Sequence, residues 1–251
     1  MVEIKETSEI RKMAAAGRIV AQVLEALGSM VRPGISTADL DREARRIIEG
    51  AGATPSFLGY GEPPFPGSIC ASIDEEVVHG IPSDERILEE GSIISVDVGA
   101  CLDGFHGDAA RTFAVGSVDP AVSRLIEVTE ECFWRAFELA VPGRRLGDLS
   151  YAVQTWAEQH GYGVVRELTG HGIGRHLHED PDLPNYGHPG RGLRIEPGLV
   201  IAMEPMINLG TRSVRLLQDG WTIVTADGKP SAHYENTFAI TDHGPMILTQ
   251  C

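Results

Sequence analysis

Apolar residues recur with the 3.6-residue period of an amphipathic helix along four stretches of the chain. The first covers residues 8–30 and the second begins near residue 37. The pair Asp119-Pro120 opens the third, because an N-cap aspartate and a proline in the first turn both favour helix initiation. The fourth covers residues 147–160. Pro33-Gly34 ends the first helix, since proline cannot continue the backbone hydrogen-bond ladder.

Shorter apolar or alternating runs predict β-strands between these helices. The predicted strands cover residues 69–73, 93–99, 109–115, 199–204, 221–224 and 232–240. Segments 54–67 and 170–197 are rich in Gly and Pro and are predicted to be irregular. The second of them is also rich in His, which indicates loops around a site. The mixture fits one large α/β or α+β domain, or two small ones.

The segment 95–111 has the pattern of a β-hairpin with an acidic residue in each arm. Asp103-Gly104 is a strong turn signal, because both central residues of a type I′ turn need positive φ. With that pair at the centre, Gly99 lies opposite Asp108, and Asp97 is a diagonal neighbour at about 7–8 Å. Carboxylates this close repel unless protons or cations lie between them. The hairpin alone therefore leaves two readings open, a solvated pair of acids or part of a cation site.

The chain contains a weak internal repeat. Pro33-Gly34 recurs 109 positions later as Pro142-Gly143, and the strand 91–97 recurs 107 positions later at 198–204. Each half is thus predicted to contain a helix, a Pro-Gly pair, a second helix and then strands. Each also has an acidic residue at the end of an apolar strand. We expect one domain, residues 1–251, with pseudo-symmetric halves of about 1–115 and 116–251 and a site between them.

Composition and charge exclude several classes of protein. The net charge of −15 argues against broad nucleic-acid binding. The chain has no run near the ~18 consecutive apolar residues of a membrane span, and its N-terminus has no signal-peptide pattern. Its four cysteines lie far apart at positions 70, 101, 132 and 251, which is typical of free thiols in a reducing cytosol.

Four acids and one histidine are the candidate metal ligands, namely Asp97, Asp108, His171, Glu204 and Glu235. Two of these acids, Asp97 and Glu204, are expected to end hydrophobic strands, where an unpaired carboxylate is costly to bury. Alternation also puts Glu235 on one face with His233 and Thr237. An oxygen-rich set with one imidazole favours Mn(II), Fe(II), Co(II) or catalytic Zn(II). Four negative charges balance two divalent ions, so a two-metal centre is the natural solution.

Three histidines lie among glycine or acidic neighbours, His79 in VVHGIP, His171 in TGHGIG and His178 in HLHED. A lone histidine is usually a surface or hydrogen-bonded core residue. Three in such contexts indicate a site, because the unperturbed histidine pKa permits proton transfer near neutral pH.

Together these motifs are similar to those of type I methionine aminopeptidases of the bacterial type without a zinc-finger extension, and the match runs almost end to end. The set in this order is specific, whereas any one fragment is weak. The resemblance rests on the motifs HGIP (79–82), DVG to DGFHGDAART (97–112), GHGIGRHLHEDP (170–181), EPM (204–206), DGWT (219–222) and YENT (234–237).

That resemblance implies an α+β pita-bread fold, with a central curved antiparallel sheet and helices on its outer face. It also implies two divalent ions, with Mn, Fe, Co and Zn as the candidates. Asp97 would bind one ion, Asp108 and Glu235 would bridge both, and His171 and Glu204 would complete the second.

The resemblance implies catalytic roles as well. Glu204 would handle the proton of the attacking metal-bound water or hydroxide. His79 and His178 would contact the scissile amide of the substrate and stabilise the tetrahedral intermediate. His176 stands where a small residue is common in the family, and it offers an additional ligand or a gate.

A methionine pocket is also implied. Phe65, Cys70 and Trp221 match it, with Tyr60 as a fourth member if two residues are inserted after it. An apolar pocket with soft sulfur suits a thioether. Leu177 stands before the second histidine, where the family commonly has an aromatic residue, so we expect a wider and less strict pocket.

The expected function is removal of the initiator methionine from nascent chains whose second residue is small. We expect a cytoplasmic monomer whose partners are nascent N-termini, with the ribosome surface as a candidate contact and neither nucleic acid nor membrane as a partner. One alternative is an Xaa-Pro aminopeptidase or prolidase, although about 90 residues before the first ligand leave little room for its usual extra domain. The other is a metal-free binding protein on the same scaffold.

Overall fold

The computed structural model describes residues 2–251, and this part of the chain contains four α-helices. They are α1 (Thr7–Met30), α2 (Thr37–Gly50), α3 (Pro120–Phe137) and α4 (Leu146–Gln159). Each begins within one residue of its predicted start, so all four helix predictions are confirmed.

The strands are short, apart from one long hairpin. Those of the first half are β1 (Thr54–Pro55), β2 (Ile69–Ile73), β3 (Glu76–Val78), β4 (Ile93–Leu102) and β5 (Phe105–Ala114). Those of the second half are β6 (Gly163–Val164), β7 (Thr169–Gly172), β8 (Glu179–Pro184), β9 (Val200–Met203), β10 (Met206–Asn208), β11 (Val214–Leu216), β12 (Ile223–Thr225), β13 (Ser231–His233), β14 (Asn236–Thr241) and β15 (Gly244–Ile247).

Local side-chain chemistry explains where two of the helices begin. Ser36 and Asp39 form a capping box, in which Ser36 Oγ accepts from the Asp39 N–H at 3.1 Å and the Asp39 carboxylate accepts from the Ser36 N–H at 3.2 Å. Asp119 accepts from the Ala121 N–H at 2.7 Å, directly before Pro120. A cap of this kind stabilises a helix by about 1 kcal/mol.

All strand pairs between these elements are antiparallel. They form sheets ordered β1-β4-β2 with β5 on β4, β13-β10-β6, β11-β12-β3 and β15-β14-β9-β7-β8. Helix α1 packs on the β4–β5 hairpin, and its approach is close because a Cβ built on Gly107 would lie 2.8 Å from the Gly17 nitrogen. Helices α3 and α4 pack against each other and on second-half strands. Each half therefore has its own buried core beside the strands that meet at the centre.

The two halves repeat a loop contact at the offsets seen in the sequence. The Gly34 N–H donates to the Leu88 carbonyl at 2.8 Å, and the Gly143 N–H donates to the Ile195 carbonyl at 2.9 Å. The reciprocal bonds, from Leu88 and Ile195 back to the residues after these glycines, are also present. The same chain reversal after a helix thus occurs in both halves.

Three strand predictions need correction. Asp97 does not end its strand, because β4 continues to Leu102. Segment 170–197 is only partly irregular, since it contains most of β7 and all of β8. The predicted strand 232–240 is broken at Tyr234 and Glu235, where the chain passes from β13 to β14.

Two predictions about the whole chain can be compared with the described residues. The cysteines at positions 70, 101, 132 and 251 are free thiols, as expected. Within residues 2–251, no helix combines the length and the apolar character needed to cross a membrane.

Candidate active site

One cavity of about 190 Å³ brings together every predicted site residue except His176. It is smaller than the ~300–1,000 Å³ of sites for drug-sized ligands, so it suits one side chain and the adjoining backbone. The lining consists of Phe57, Tyr60, Phe65, Cys70, His79, Asp97, Asp108, His171, Leu177, His178, Glu204, Trp221 and Glu235. His176 is exposed and lies outside this lining.

The β4–β5 hairpin supplies two carboxylates at one end of the cavity. Its turn has Asp103 at φ 51° and Gly104 at φ 77°, as the Asp-Gly signal predicted. Gly99 pairs with Asp108, which confirms the predicted register. The side chains of Asp97 and Asp108 are close enough to share a hydrogen bond. Two carboxylates can do so only if a proton lies between them, and a cation can take its place.

The other two carboxylates come from breaks between second-half strands. Glu204 lies between β9 and β10, before Pro205, and Glu235 lies between β13 and β14. Arg111 of β5 holds the Glu235 segment, since its guanidinium donates to the Glu235 carbonyl at 2.5 Å and to Asn236 Oδ1 at 2.7 Å. This contact joins the two halves directly at the cavity.

His171 presents one ring nitrogen to this acidic cluster. Its Nδ1 lies 2.9 Å from the Gly172 carbonyl, a contact that requires the proton on Nδ1. Nε2 then keeps its lone pair and lies 3.7 Å from Glu204 Oε1. Burial, with a contribution from His178, lowers the pKa of His171 to about 4, so the ring is neutral near pH 7. A neutral imidazole oriented by a carbonyl is the usual form of a metal-bound histidine.

The electrostatics of the cluster favour bound cations. Burial raises the pKa of Asp97 to about 7. Burial raises the pKa of Asp108 well above its usual range, and the charges of Asp97 and Glu204 raise it further. The pKa values of Glu204 and Glu235 are raised in the same way, by burial first and by neighbouring carboxylates second. Without cations, the cluster must therefore hold protons near neutral pH.

The donor set fits divalent metal ions. Among the described residues, Asp97 Oδ1, Asp108 Oδ1 and Glu235 Oε1 are buried and have no hydrogen-bond partner. Ligand atoms of Asp108, His171 and Glu235 lie within 4.8 Å of one another. Carboxylate oxygens with imidazole nitrogen suit Mn, Fe, Co and Zn. A buried polar atom without a partner costs about 1–3 kcal/mol, and coordination of an ion offsets that cost.

His178 lies beside His171 on the loop between β7 and β8. The two rings are 4.3 Å apart, and His178 Nδ1 lies 2.5 Å from the hydroxyl of Tyr60. The next residue, Glu179, forms an ion pair of 2.6 Å with Lys5, and both side chains are almost fully buried. The N-terminal segment thus fixes the loop that carries His178.

His79 occupies a strained backbone conformation at the wall of the cavity. Its φ of 60° is left-handed, which is uncommon for a residue other than glycine and is frequent at functional sites. Its ring packs edge-on to Trp221 at 5.9 Å. Burial, with a smaller contribution from His178, lowers the pKa of His79 to about 4. The neutral ring can both donate and accept a hydrogen bond.

The opposite end of the cavity is apolar. Phe65 and Trp221 meet edge to face with ring centroids 5.2 Å apart. Phe57, Cys70 and Leu177 are buried in the same cluster. Cys70 also lies directly opposite Asp97 in the β2–β4 pair, so the apolar wall begins next to the acids.

Sequence reasoning missed three residues at this site. Phe57 lines the apolar end, but it lies in a Gly- and Pro-rich segment whose path has no sequence pattern. Arg111 lies within a recognised motif, yet its contact with Glu235 spans the two halves. His233 had a signal, because alternation put it on the same face as Glu235, and the structure places its Nε2 3.8 Å from Glu235 Oε2.

Comparisons with known proteins agree with this geometry. Residues 11–242 match the model of metallopeptidase family M24. The chain is 54% identical over 251 residues to a methionine aminopeptidase of Clostridium acetobutylicum, with 100% of both chains covered. It matches the crystal structure of methionine aminopeptidase from Thermotoga maritima with a TM-score of 0.98 and 43% identity, again over 100% of both chains.

A more distant match separates fold from substrate. An Xaa-Pro dipeptidase from Bacillus anthracis matches with a TM-score of 0.78 at 24% identity, over 99% of this chain and 62% of that chain. At that identity the likeness shows the fold alone. Together the matches confirm the predicted resemblance to methionine aminopeptidases and the predicted pita-bread fold of helices and antiparallel sheets.

Proposed function

Because the chain belongs to metallopeptidase family M24, we propose that it removes the N-terminal methionine from nascent polypeptides whose second residue is small. One observation carries this proposal. A single cavity joins a cluster of four carboxylates and an imidazole to an apolar wall that contains sulfur and aromatic rings. The first end suits metal-dependent hydrolysis, and the second suits a thioether side chain.

The polar end would hold two divalent ions. The residues that would hold them are Asp97, Asp108, His171, Glu204 and Glu235. The unpartnered oxygens and the mutual repulsion of the four acids support this assignment. Bound ions would polarise the scissile carbonyl and acidify the attacking water. Mn, Fe, Co and Zn all suit the donor set.

The side chains of the cavity would move and hold protons around the scissile peptide. Glu204 would take the proton of the attacking water, a role that its place supports, because its carboxylate lines the cavity and faces His171 Nε2 at 3.7 Å. His79 and His178, both neutral near pH 7, would donate hydrogen bonds to the amide as its carbonyl oxygen gains charge. The hydroxyl of Tyr60 orients His178, and the strained backbone of His79 orients the other ring.

The apolar end would select the first side chain of the substrate. Phe65, Cys70 and Trp221 would form its walls, with Tyr60 at the mouth and Leu177 beside the histidine loop. Sulfur and aromatic edges interact well with a methionine thioether. Leu177 leaves room that a larger aromatic side chain would fill.

We also propose a single catalytic domain, 1–251, built from the halves 1–115 and 116–251. The repeated Gly–carbonyl contact and the bridge from Arg111 to Glu235 support it. We also propose that the protein is a monomer and that it acts in the cytoplasm, where nascent N-termini emerge at ribosomes; the ribosome surface is a candidate contact.

The test is release of free methionine from a Met-Ala-Ser peptide by chelator-treated protein, before and after Mn(II) is added. An Ala-Pro-Ser peptide serves as the matched substrate for the proline-specific enzymes. We expect cleavage of the first peptide alone, and only with metal. Cleavage of the second peptide alone would assign the chain to the proline-specific branch. Metal binding without cleavage of either peptide would overturn the proposal.

A further inference from the structure

His233 is a buried histidine at the polar end to which the proposed centre gives no role. It ends β13, and its side chain is 1% exposed. The hydroxyl of Thr112 fixes its backbone on both sides, because Thr112 Oγ1 accepts from the His233 N–H at 2.9 Å and donates to the His233 carbonyl at 2.9 Å. The backbone is thus held while the ring lies against the acidic cluster.

The ring nitrogen Nε2 faces two of the four carboxylates. It lies 3.7 Å from Glu204 Oε2 and 3.8 Å from Glu235 Oε2. Both separations are too long for a hydrogen bond, and within residues 2–251 this buried nitrogen has no hydrogen-bond partner. A histidine with a purely structural role in the core would instead have its ring nitrogens satisfied.

The same separations suit donors that share one ion. Metal–oxygen and metal–nitrogen distances of about 2.0–2.2 Å place two donors of one ion up to about 4 Å apart. Ligand atoms of Glu204, His233 and Glu235 all lie within 4.8 Å of one another. Two of the proposed ligands offer a comparison, because His171 Nε2 and Glu204 Oε1 are also 3.7 Å apart. Glu204 therefore lies between two imidazoles, with Oε1 towards His171 and Oε2 towards His233.

We propose that His233 Nε2 is a sixth protein ligand of the metal centre, for the ion that Glu204 and Glu235 contact. This inference rests on the proposed function, because it requires that centre to exist. A second imidazole makes the donor set of four carboxylates richer in nitrogen. That change favours Fe(II), Co(II) or Zn(II) over Mn(II).

The first test observes the unmodified protein. Histidine side chains labelled with ¹⁵N are followed by NMR while Zn(II), which is diamagnetic, is added to chelator-treated protein. Resonances are assigned with His171→Gln, His233→Gln and His106→Gln. His106 is the internal control, because it bonds Ser56 at 2.9 Å and lies outside the cavity lining.

We expect Nε2 of both His171 and His233 to shift to the metal-bound range, while His106 does not move. A shift of His171 without His233 would overturn the sixth-ligand proposal and leave the centre intact. No shift of either ring would overturn the centre itself.

The second test measures affinity. Co(II) is titrated calorimetrically into wild-type protein, His233→Gln and His106→Gln, and visible absorption reports the coordination of Co(II). We expect His233→Gln to weaken one binding step by about 10–100-fold and to change the absorption spectrum. His106→Gln should match wild type. Wild-type affinity and an unchanged spectrum in His233→Gln would contradict the proposal.

Discussion

The two ends of the cavity are held in place by different kinds of interaction. At the polar end, hydrogen bonds fix Asp108, Glu235 and His171, and those to the first two cross between the halves. Thr237 Oγ1 accepts from the Asp108 N–H at 3.0 Å and donates to the Asp108 carbonyl at 2.8 Å. Arg111 holds Glu235, and the Gly172 carbonyl orients His171. At the apolar end, Phe65, Trp221 and Leu177 are positioned mainly by packing.

The two ends should therefore respond differently to substitution. A directional network loses function abruptly when one member is removed, because the remaining charges stay buried and unpaired. A packed wall responds in proportion to volume, because neighbouring side chains adjust. We therefore expect substitutions at the polar end to abolish chemistry and substitutions at the apolar end to change selectivity by degrees.

The largest expected effect comes from Glu235→Gln, which keeps the size of the side chain and removes its charge. If Glu235 is a metal ligand as proposed, its loss should lower kcat/KM by about 10⁴-fold or more, as for members of other catalytic units. Metal content by elemental analysis should fall with it. Glu76→Gln is the matched control, since Glu76 is a buried acid paired with Arg86 outside the cavity lining. Full metal content in Glu235→Gln would contradict its role.

The next effect separates chemistry from metal binding at the polar end. In the proposed mechanism His79 donates a hydrogen bond to the scissile peptide, so His79→Ala should lower kcat by about 10²–10³-fold. Metal affinity and KM should change little, because no metal ligand is removed. The measurement pairs steady-state kinetics with Co(II) calorimetry. An equal loss of metal affinity would make His79 part of the metal centre instead.

A smaller effect is expected on thermal stability, which can be compared with and without bound metal. Four buried acids with raised pKa values repel one another, so bound ions should stabilise the folded state. At 100 times the dissociation constant, a ligand specific for the folded state contributes about 2.7 kcal/mol. Thermal unfolding with Mn(II) and with chelator should therefore differ by several degrees. An unchanged Tm in wild type would show that the acids are already neutralised in another way.

Local features of the fold and site could be predicted from sequence. The hairpin register follows from Asp103-Gly104, because the turn type fixes which residues lie opposite. The start of α3 follows from Asp119 and Pro120, which act within one turn. The pairing of Asp108 with Gly99 was predictable for the same reason, since it depends only on the hairpin.

Non-local features could not be predicted. Gly172 lies in a segment that the sequence predicts to be irregular, yet it belongs to β7. A Cβ at this position would lie too close to the Asp180 carbonyl oxygen for any side chain. The break at Glu235 coincides with the contact from Arg111, which belongs to the other half. Alternation put His233 beside Glu235, but only the sheets reveal that Glu204 is its second neighbour. Periodicity describes a strand's faces and not what packs on them.

The smallest and most graded effect is expected at Leu177, a buried residue that lines the apolar end. Leu177→Phe should narrow the pocket and raise the ratio of kcat/KM for Met-Ala-Ser over Leu-Ala-Ser by about 10-fold, the scale of a small volume change in an apolar pocket. Leu177→Ala is the matched variant in the opposite direction and should lower the ratio. Metal affinity should stay constant in both, because Leu177 carries no donor atom. If both variants kept the wild-type ratio, Leu177 would not contact the substrate side chain. If either variant lost metal, the two ends of the cavity would be coupled and not independent.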